Sequence, residues 1–232
     1  MGLPKLEHPT FELTIPSTKD SVRYRPFLVK EEKILLIAQQ SGEPNEFIQA
    51  ILQVLQNCMM DYDVRKLTNF DTEYAFLKLR ANSISESVKI NVLDDETEDY
   101  VEIEVDLNEV ECPDVEQSNL IKLNDEVSIE MRYPRYTDLL KIEVDDNIET
   151  SLELISACID KIYNGEEVLA LSDFSTEEQT DFINSFPADS FNELQTFFTE
   201  MPKVTMKVKY KIKIDGKQKT KTKILEGIND FF

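Results

Sequence analysis

The chain has 232 residues, 41% of them hydrophobic, and is long enough to bury a substantial core. Its 46 acidic and 25 basic side chains give a formal net charge of −21, which disfavours a general affinity of the whole surface for nucleic acid. No basic patch precedes an apolar run at the N-terminus, and no stretch approaches the ~18 apolar residues of a membrane span, so neither secretion nor membrane insertion is expected.

The first third of the chain predicts a short strand and three helices. Phe11 to Ile15 alternates as a strand does, and Val29 to Gln40 has the apolar spacing of an amphipathic helix. Ser41 to Asn45 is a stop and restart signal, after which a second helix ends near Cys58. A third helix is expected to begin at Asp71, as its N-cap, and to continue to about Asn82. The apolar stripe of the first helix comprises Ile34, Leu35, Ile37 and Ala38.

From Ser87 the apolar period changes to two, which predicts an antiparallel β insertion with one polar face. An acidic turn at Asp94 to Asp99 lies between its first two strands. We expect this turn to be solvated, because it lacks the glycine and the spaced glutamate of a calcium-binding EF-hand loop. The predicted strands are 88–92, 101–105, 121–123 and 127–131.

Helical spacing returns from Ile148 to Tyr163, where Asn164-Gly165 is expected to end the helix. Ser175 and Glu178 have the spacing of a capping box and predict a helix that ends at Phe186-Pro187. A further helix is predicted from Asp189 to Met201, with Pro202 as its stop.

The last segment predicts a lysine-rich β-hairpin. Val204 to Ile214 alternates strictly between apolar and polar residues, Asp215-Gly216 is a turn signal, and the return strand reaches Ile224. Nine lysines lie between Lys203 and Lys223 with one acid, so this stretch has a net charge of +8 and the rest of the chain −29. The basic segment is therefore expected to meet an acidic surface, on another subunit or on its own body, unless the charge serves solubility alone.

Together these elements predict an α+β fold with an N-terminal helical bundle, an antiparallel β insertion, C-terminal helices and a lysine-rich β-hairpin. We divide the sequence into a mainly helical region at 1–86, a β region at 87–145 and a C-terminal region at 146–232. In an alternative division, the C-terminal region forms one composite domain with residues 1–86.

No catalytic site and no cofactor are predicted. His8 is the single histidine, and with only five glycines the chain has neither GxGxxG nor a P-loop. Three cysteines without CxxC spacing predict neither a disulfide framework nor a zinc site and fit a reducing cytoplasm. Cys58 and Cys158 fall on apolar helix faces and are expected to be small core residues.

Several sequence blocks resemble the baseplate hub proteins of T-even-type contractile-tail bacteriophages. The resemblance spans nearly the whole chain, and its block between Arg25 and Arg80 is the most specific. The blocks that carry it are Tyr24 to Ala38, Asn57-Cys58, Leu67 to Asp71, Glu73 to Ser83, Met131 to Pro134, Phe197 to Pro202 and Leu225 to Phe232.

This resemblance implies a non-enzymatic hub subunit or a chaperone-like hub assembly factor, located in the virion tail baseplate, in the host cytoplasm during assembly, or in both. The implied partners are other hub or tape-measure proteins, with a homo-oligomer as a further expectation and no membrane or nucleic-acid partner. Relatives often carry a cysteine pair in the C-terminal hairpin that would suit a metal knuckle. Lysine, valine, tyrosine and isoleucine stand there in this chain, so no metal site is expected.

The candidate contact residues are charged side chains near the first helix, lysines of the hairpin and the terminal aromatic pair, for which packing on the chain's own core is the alternative. They are Arg23, Arg25, Lys30, Glu31, Glu32, Lys33, Lys207, Lys209, Lys211, Phe231 and Phe232. One alternative function is a nucleic-acid-binding module that uses the Lys203 to Lys223 hairpin. Another is a hydrolase, although no carboxylate pair with that chemistry is identifiable.

Overall fold

The computed structural model describes Pro4 and residues 6–114, 118–142, 148–214 and 217–231. These residues form seven helices and ten strands in small antiparallel sheets, which confirms the predicted α+β class. In chain order they are β1 (Phe11–Thr14), β2 (Ser21–Tyr24), α1 (Val29–Ser41), α2 (Pro44–Cys58), α3 (Asn69–Ser83), β3 (Ser87–Leu93), β4 (Tyr100–Asp106), β5 (Leu120–Lys122), β6 (Val127–Met131), α4 (Tyr136–Leu139), α5 (Ile148–Cys158), β7 (Ile159–Asn164), β8 (Glu167–Leu169), α6 (Thr176–Asn184), α7 (Ala188–Thr199), β9 (Thr205–Ile214) and β10 (Lys217–Glu226).

The chain forms two compact units. Unit 1 comprises Met1–Asp114 and Pro202–Phe232, and unit 2 comprises Val115–Met201. An antiparallel bridge between Glu111 and Thr205, with N–H···O distances of 2.9 and 2.8 Å, joins the chain segments beside the insertion point. The division of the sequence into three regions stays a prediction.

The three predicted N-terminal helices are confirmed and build the core of unit 1. Apolar residues of α2 and α3, among them Leu55 and Phe76, are fully buried together with Ile15. The strand β2, which the sequence analysis did not predict, pairs antiparallel with β1 and buries Val22 and Tyr24 in the same cluster. Helix α1 contributes less, since Ile34 and Leu35 are only partly buried, and Ile37 of the predicted stripe is exposed.

Helix α3 begins three residues earlier than a cap at Asp71 would place it. Thr68 is the N-cap, and its hydroxyl accepts a hydrogen bond from the Asp71 amide at 3.1 Å. The Asp71 carboxylate is fully buried and accepts from the amide and hydroxyl of Thr68, at 3.1 and 2.6 Å. It also accepts from the amide and hydroxyl of Ser17, at 2.9 and 2.6 Å. The prediction of Asp71 as N-cap is therefore wrong, because this side chain closes a capping box from inside the helix.

Two further hairpins complete unit 1. The strands β3 and β4 pair antiparallel with Ile90 opposite Ile103, and β9 and β10, the terminal hairpin, pair with Tyr210 opposite Lys221. Both hairpins were predicted, while the Asp215-Gly216 turn lies outside the described residues. The C-terminal Phe231 is fully buried in unit 1.

Unit 2 contains a four-stranded antiparallel sheet in the order β5-β6-β7-β8. The structure thus divides the predicted antiparallel strands between this sheet and the β3–β4 hairpin. Helix α7 is attached to the edge strand β5, since the Ser190 hydroxyl donates to the Lys122 carbonyl oxygen at 3.0 Å. The Phe197 ring of α7 stacks on Tyr133, with 4.8 Å between the ring centroids.

The single helix predicted from Ile148 to Tyr163 is wrong in its last five residues. Helix α5 ends at Cys158, and the chain continues directly as β7, which pairs with β6. A register shift opposite Glu130 and Met131 brings both Ile159 and Ile162 to buried positions. The i, i+3 spacing of two buried isoleucines therefore comes from an irregular strand rather than from a helical turn.

The capping box predicted at the start of α6 is confirmed. The Ser175 hydroxyl and amide both donate to Glu178 Oε2, at 2.6 and 2.9 Å. Helix α6 ends at Asn184, two residues before the predicted Phe186-Pro187 boundary.

We predict that Asp71→Ala lowers the free energy of unfolding by about 3 kcal/mol, because it leaves four donors near Ser17 and Thr68 without their acceptor in a buried site. Asp63→Ala is the matched control, since Asp63 caps a short helical turn from a partly exposed position and should have a much smaller effect. Urea denaturation measures both. Equal midpoint shifts for the two variants would contradict the role assigned to Asp71.

Candidate interaction surface

The terminal hairpin has one apolar and one basic face on β9. Val208, Tyr210 and Ile212 are buried, while the lysines between them are exposed, as the alternation predicted. We call Lys207, Lys209, Lys211 and Lys213 the lysine row. Alternate residues of an extended strand lie about 6.8 Å apart, so the row is an evenly spaced line of positive charge. Among the described residues, no carboxylate oxygen lies within 4 Å of an ammonium group of this row.

The lysines of β10 differ from the lysine row, because they bind the acidic turn of the same chain. Lys221 Nζ lies 2.9 Å from Asp94 Oδ1 and 2.9 Å from Glu96 Oε2. Lys223 Nζ donates to the Leu93 carbonyl oxygen at 2.8 Å, and its ion pair with Asp95 spans 3.4 Å. The basic segment was expected to meet an acidic surface either on another subunit or on its own chain. For these β10 lysines, the acidic surface is on the same chain.

Asp94 is the centre of this contact. Its side chain is fully buried, and Oδ2 accepts a hydrogen bond from the Tyr210 hydroxyl at 2.6 Å. Oδ1 also accepts from the backbone amides of Glu96 and Thr97, at 3.1 and 3.0 Å. The hydrogen bonds from Lys221 and Tyr210 hold the pKa of Asp94 far below its usual range, and the same carboxylate raises the pKa of Tyr210. The expectation that this turn is solvated is wrong at Asp94.

A second charged contact fixes the start of α1. Arg25 Nη2 lies 2.9 Å from Glu31 Oε1 and donates to the Asn57 carbonyl oxygen at 3.0 Å. Glu31 is fully buried, and its Oε2 accepts from the Leu28 amide at 3.0 Å. Burial alone would raise the pKa of Glu31, but the hydrogen bonds from Arg25 and Leu28 lower it overall. The structure thus places Arg25 and Glu31 in an internal contact.

The other proposed contact residues near α1, namely Arg23, Lys30, Glu32 and Lys33, are exposed. Three large apolar side chains near them were not predicted to be exposed: Val29, Leu36 and Ile37 are 80%, 51% and 58% exposed. The sequence does contain a signal for them, because α1 has more apolar residues than one buried stripe can hold. Of the terminal aromatic pair, Phe231 packs in its own core, and Phe232 lies outside the described residues.

Chemically reactive arrangements are sparse. Burial raises the pKa of the Cys58 thiol to about 11 and the pKa of the Cys112 and Cys158 thiols to about 12, so these groups are protonated at neutral pH. Cys58 and Cys158 are buried, as expected of core residues. Within the described ranges, no cluster of three or more histidine, cysteine, aspartate or glutamate residues could hold a metal ion. In that same part of the chain, no helix is long and apolar enough to cross a membrane.

Comparison with known proteins gives one match, to a family described as T4 bacteriophage base plate protein, whose model matches residues 8–232. No curated protein and no solved structure matches the chain.

We predict that Asp94→Asn lowers stability at neutral pH, and that its difference from the unchanged protein shrinks as the pH falls below about 4. A carboxyl group whose pKa is depressed in the folded state stabilises the fold above its unfolded pKa and loses that contribution as acid protonates it. Asp95→Asn, at a side chain that is 87% exposed, is the matched control. Urea midpoints measured from about pH 7 to about pH 3 test this; a constant difference over that range would contradict it.

Proposed function

The chain belongs to the T4 bacteriophage base plate protein family, and on that premise we propose that it is a non-enzymatic subunit of the baseplate hub, or a factor that assembles the hub. Family membership implies a location in the virion tail and contacts with other baseplate proteins. The match over residues 8–232 carries the proposal, and the sequence blocks that resemble hub proteins support its narrower part. An assembly factor would also be present in the host cytoplasm.

The lysine row is the contact surface that the geometry of unit 1 favours. Its ammonium groups are exposed and evenly spaced, and neighbouring lysines on β10 are already bound to Asp94 and Glu96. Because the row is positively charged, a partner that presents acidic residues to it is attracted there, although the rest of the chain is strongly acidic. Such charge pairing speeds and orients association more than it adds affinity.

The exposed part of α1 is a second proposed surface. Val29, Leu36 and Ile37 are apolar and accessible beside the charged Lys30 and Lys33. Large exposed apolar side chains among polar ones are typical of protein interaction sites. We therefore extend the proposed contact surface of α1 from its charged residues to these three.

Nucleic-acid binding by the hairpin is the alternative function. The lysine row supports it, since exposed lysines can bind phosphates without reading sequence. The acidic turn opposes it, because Lys219, Lys221 and Lys223 are paired with carboxylates of the same chain. The lysine row therefore fits an acidic protein surface better than a polyphosphate backbone.

The hub or assembly role is tested by mass spectrometry of purified virions, together with capture of the tagged protein from infected-cell lysate. A stoichiometric presence in virions identifies a structural subunit. Absence from virions with capture of hub or tape-measure proteins in the lysate identifies an assembly factor. Recovery with neither set of proteins would contradict the proposal.

We predict that changing Lys207, Lys209 and Lys211 together to glutamate abolishes capture of baseplate partners and leaves the fold intact, since none of the three has an ion pair among the described residues. The matched control changes Lys66, Lys122 and Lys141, which are exposed elsewhere, and adds the same negative charge. Equal loss in both variants would show a general charge effect. Retention on DNA at low salt that only the first variant loses would favour the nucleic-acid alternative.

A further inference from the structure

The sheet of unit 2 has an open edge at β8. Among the described strands, β8 pairs with β7 alone, and Asn164 and Glu167 pair on either side of a two-residue turn. Gly165 has a φ of 58°, as the first turn position of such hairpins favours. Hydrogen-bonded and non-hydrogen-bonded pairs alternate along an antiparallel ladder, so the backbone N–H and C=O of Val168 point away from β7. This edge can therefore hydrogen-bond to another extended chain.

An apolar pocket of about 290 Å³ opens beside this edge. One wall is the sheet face with Ile162 and Leu169, and the other is formed by Leu171, Phe174 and Phe182 at and before α6. The volume is at the lower limit for small-molecule sites and matches one large apolar side chain better than a ligand. Phe174, which lines the pocket, is 38% exposed. The pocket therefore offers an anchor point directly beside unused backbone hydrogen-bonding groups.

The charges around the pocket restrict its occupant. Glu178 lines the pocket, and Glu167 lies on the edge strand with its side chain exposed, on the same face as Leu169. No lysine or arginine of the described residues lines it. A bound strand would carry side chains at alternate positions on this face, about 6.8 Å apart. Basic residues two positions before and after an apolar anchor would therefore reach the two carboxylates.

We propose that β8 binds an extended segment of a partner protein, which adds to the sheet as a fifth strand. The segment inserts one leucine, isoleucine or phenylalanine side chain into the pocket and places lysine or arginine two residues to either side. Backbone hydrogen bonds along β8 supply affinity, and the pocket with its two carboxylates supplies specificity. This surface belongs to unit 2 and does not depend on the lysine row or on the hub role.

The probe is the peptide Thr-Lys-Thr-Phe-Thr-Lys-Thr-amide, which carries an N-terminal fluorescein when the full chain is added to it for fluorescence anisotropy and an N-terminal acetyl group when it is added to the full chain for amide NMR. We expect saturable one-to-one binding, with amide shift changes at Glu167–Leu169 and in α6. Replacing the central phenylalanine of the peptide by alanine should weaken binding at least about ten-fold, because the anchor is lost. Replacing both lysines by glutamate should weaken it as well, since the charges would then repel.

Two variants of the protein locate the site. Val168→Pro removes the outward N–H of the edge strand and blocks strand addition, and Phe174→Ala removes one wall of the pocket. Each should weaken peptide binding at least about ten-fold, whereas Tyr100→Ala, at an exposed aromatic residue of unit 1, should leave it unchanged. If Val168→Pro disturbs the fold, Glu167→Lys replaces it, because it keeps the backbone and reverses one charge. Absence of saturable binding, shift changes confined to other elements, or equal binding by Phe174→Ala would overturn the proposal.

Discussion

Tyr210 and Lys221 of the terminal hairpin both bind Asp94, and this contact joins parts of unit 1 that are more than a hundred residues apart in sequence. It fixes the inner side of the hairpin against the acidic turn, because Lys221 also pairs with Glu96 and Lys223 with Asp95. The orientation of the hairpin in turn decides which lysines remain accessible. The lysine row is exposed because the opposite side of the hairpin is bound to its own chain.

Among the described residues of unit 1, three buried carboxylates join separate parts of the chain in this way. Asp71 connects α3 to Ser17 across 54 residues, Glu31 connects α1 to Arg25, and Asp94 connects β3 to the terminal hairpin. An ionised carboxylate without partners would be very costly inside a protein, so each site needs several donors at once. Only the native arrangement supplies them, which is how a chain with 46 acidic residues uses a few of them to specify its packing.

Apolar spacing together with stop and restart signals was sufficient to predict α1, α2 and α3, and the strict alternation of β9 with the Asp215-Gly216 turn signal was sufficient to predict the terminal hairpin. Apolar spacing failed between Ile159 and Tyr163, where a register shift in the sheet buries Ile159 and Ile162 at a spacing that imitates a helix. It also failed at Asp94, since periodicity carries no information about which acid is buried. The contrast between the basic segment and the acidic rest of the chain favoured a contact with an acidic surface, but only the folded chain shows that the acidic turn is that surface and which lysines bind it.

As proposed contact surfaces, the lysine row and the apolar pocket beside β8 would serve different steps of binding. A chain with a net charge of −21 repels an acidic partner at long range, so an attractive approach by such a partner requires a local positive surface. The lysine row provides one, but exposed ion pairs are screened by salt and contribute little to the lifetime of a complex. An apolar side chain held in a pocket contributes chiefly to that lifetime, because it must be returned to water before the partner leaves. A protein of a large assembly needs both properties, and the separation of charged and apolar surfaces lets each be tuned without changing the other.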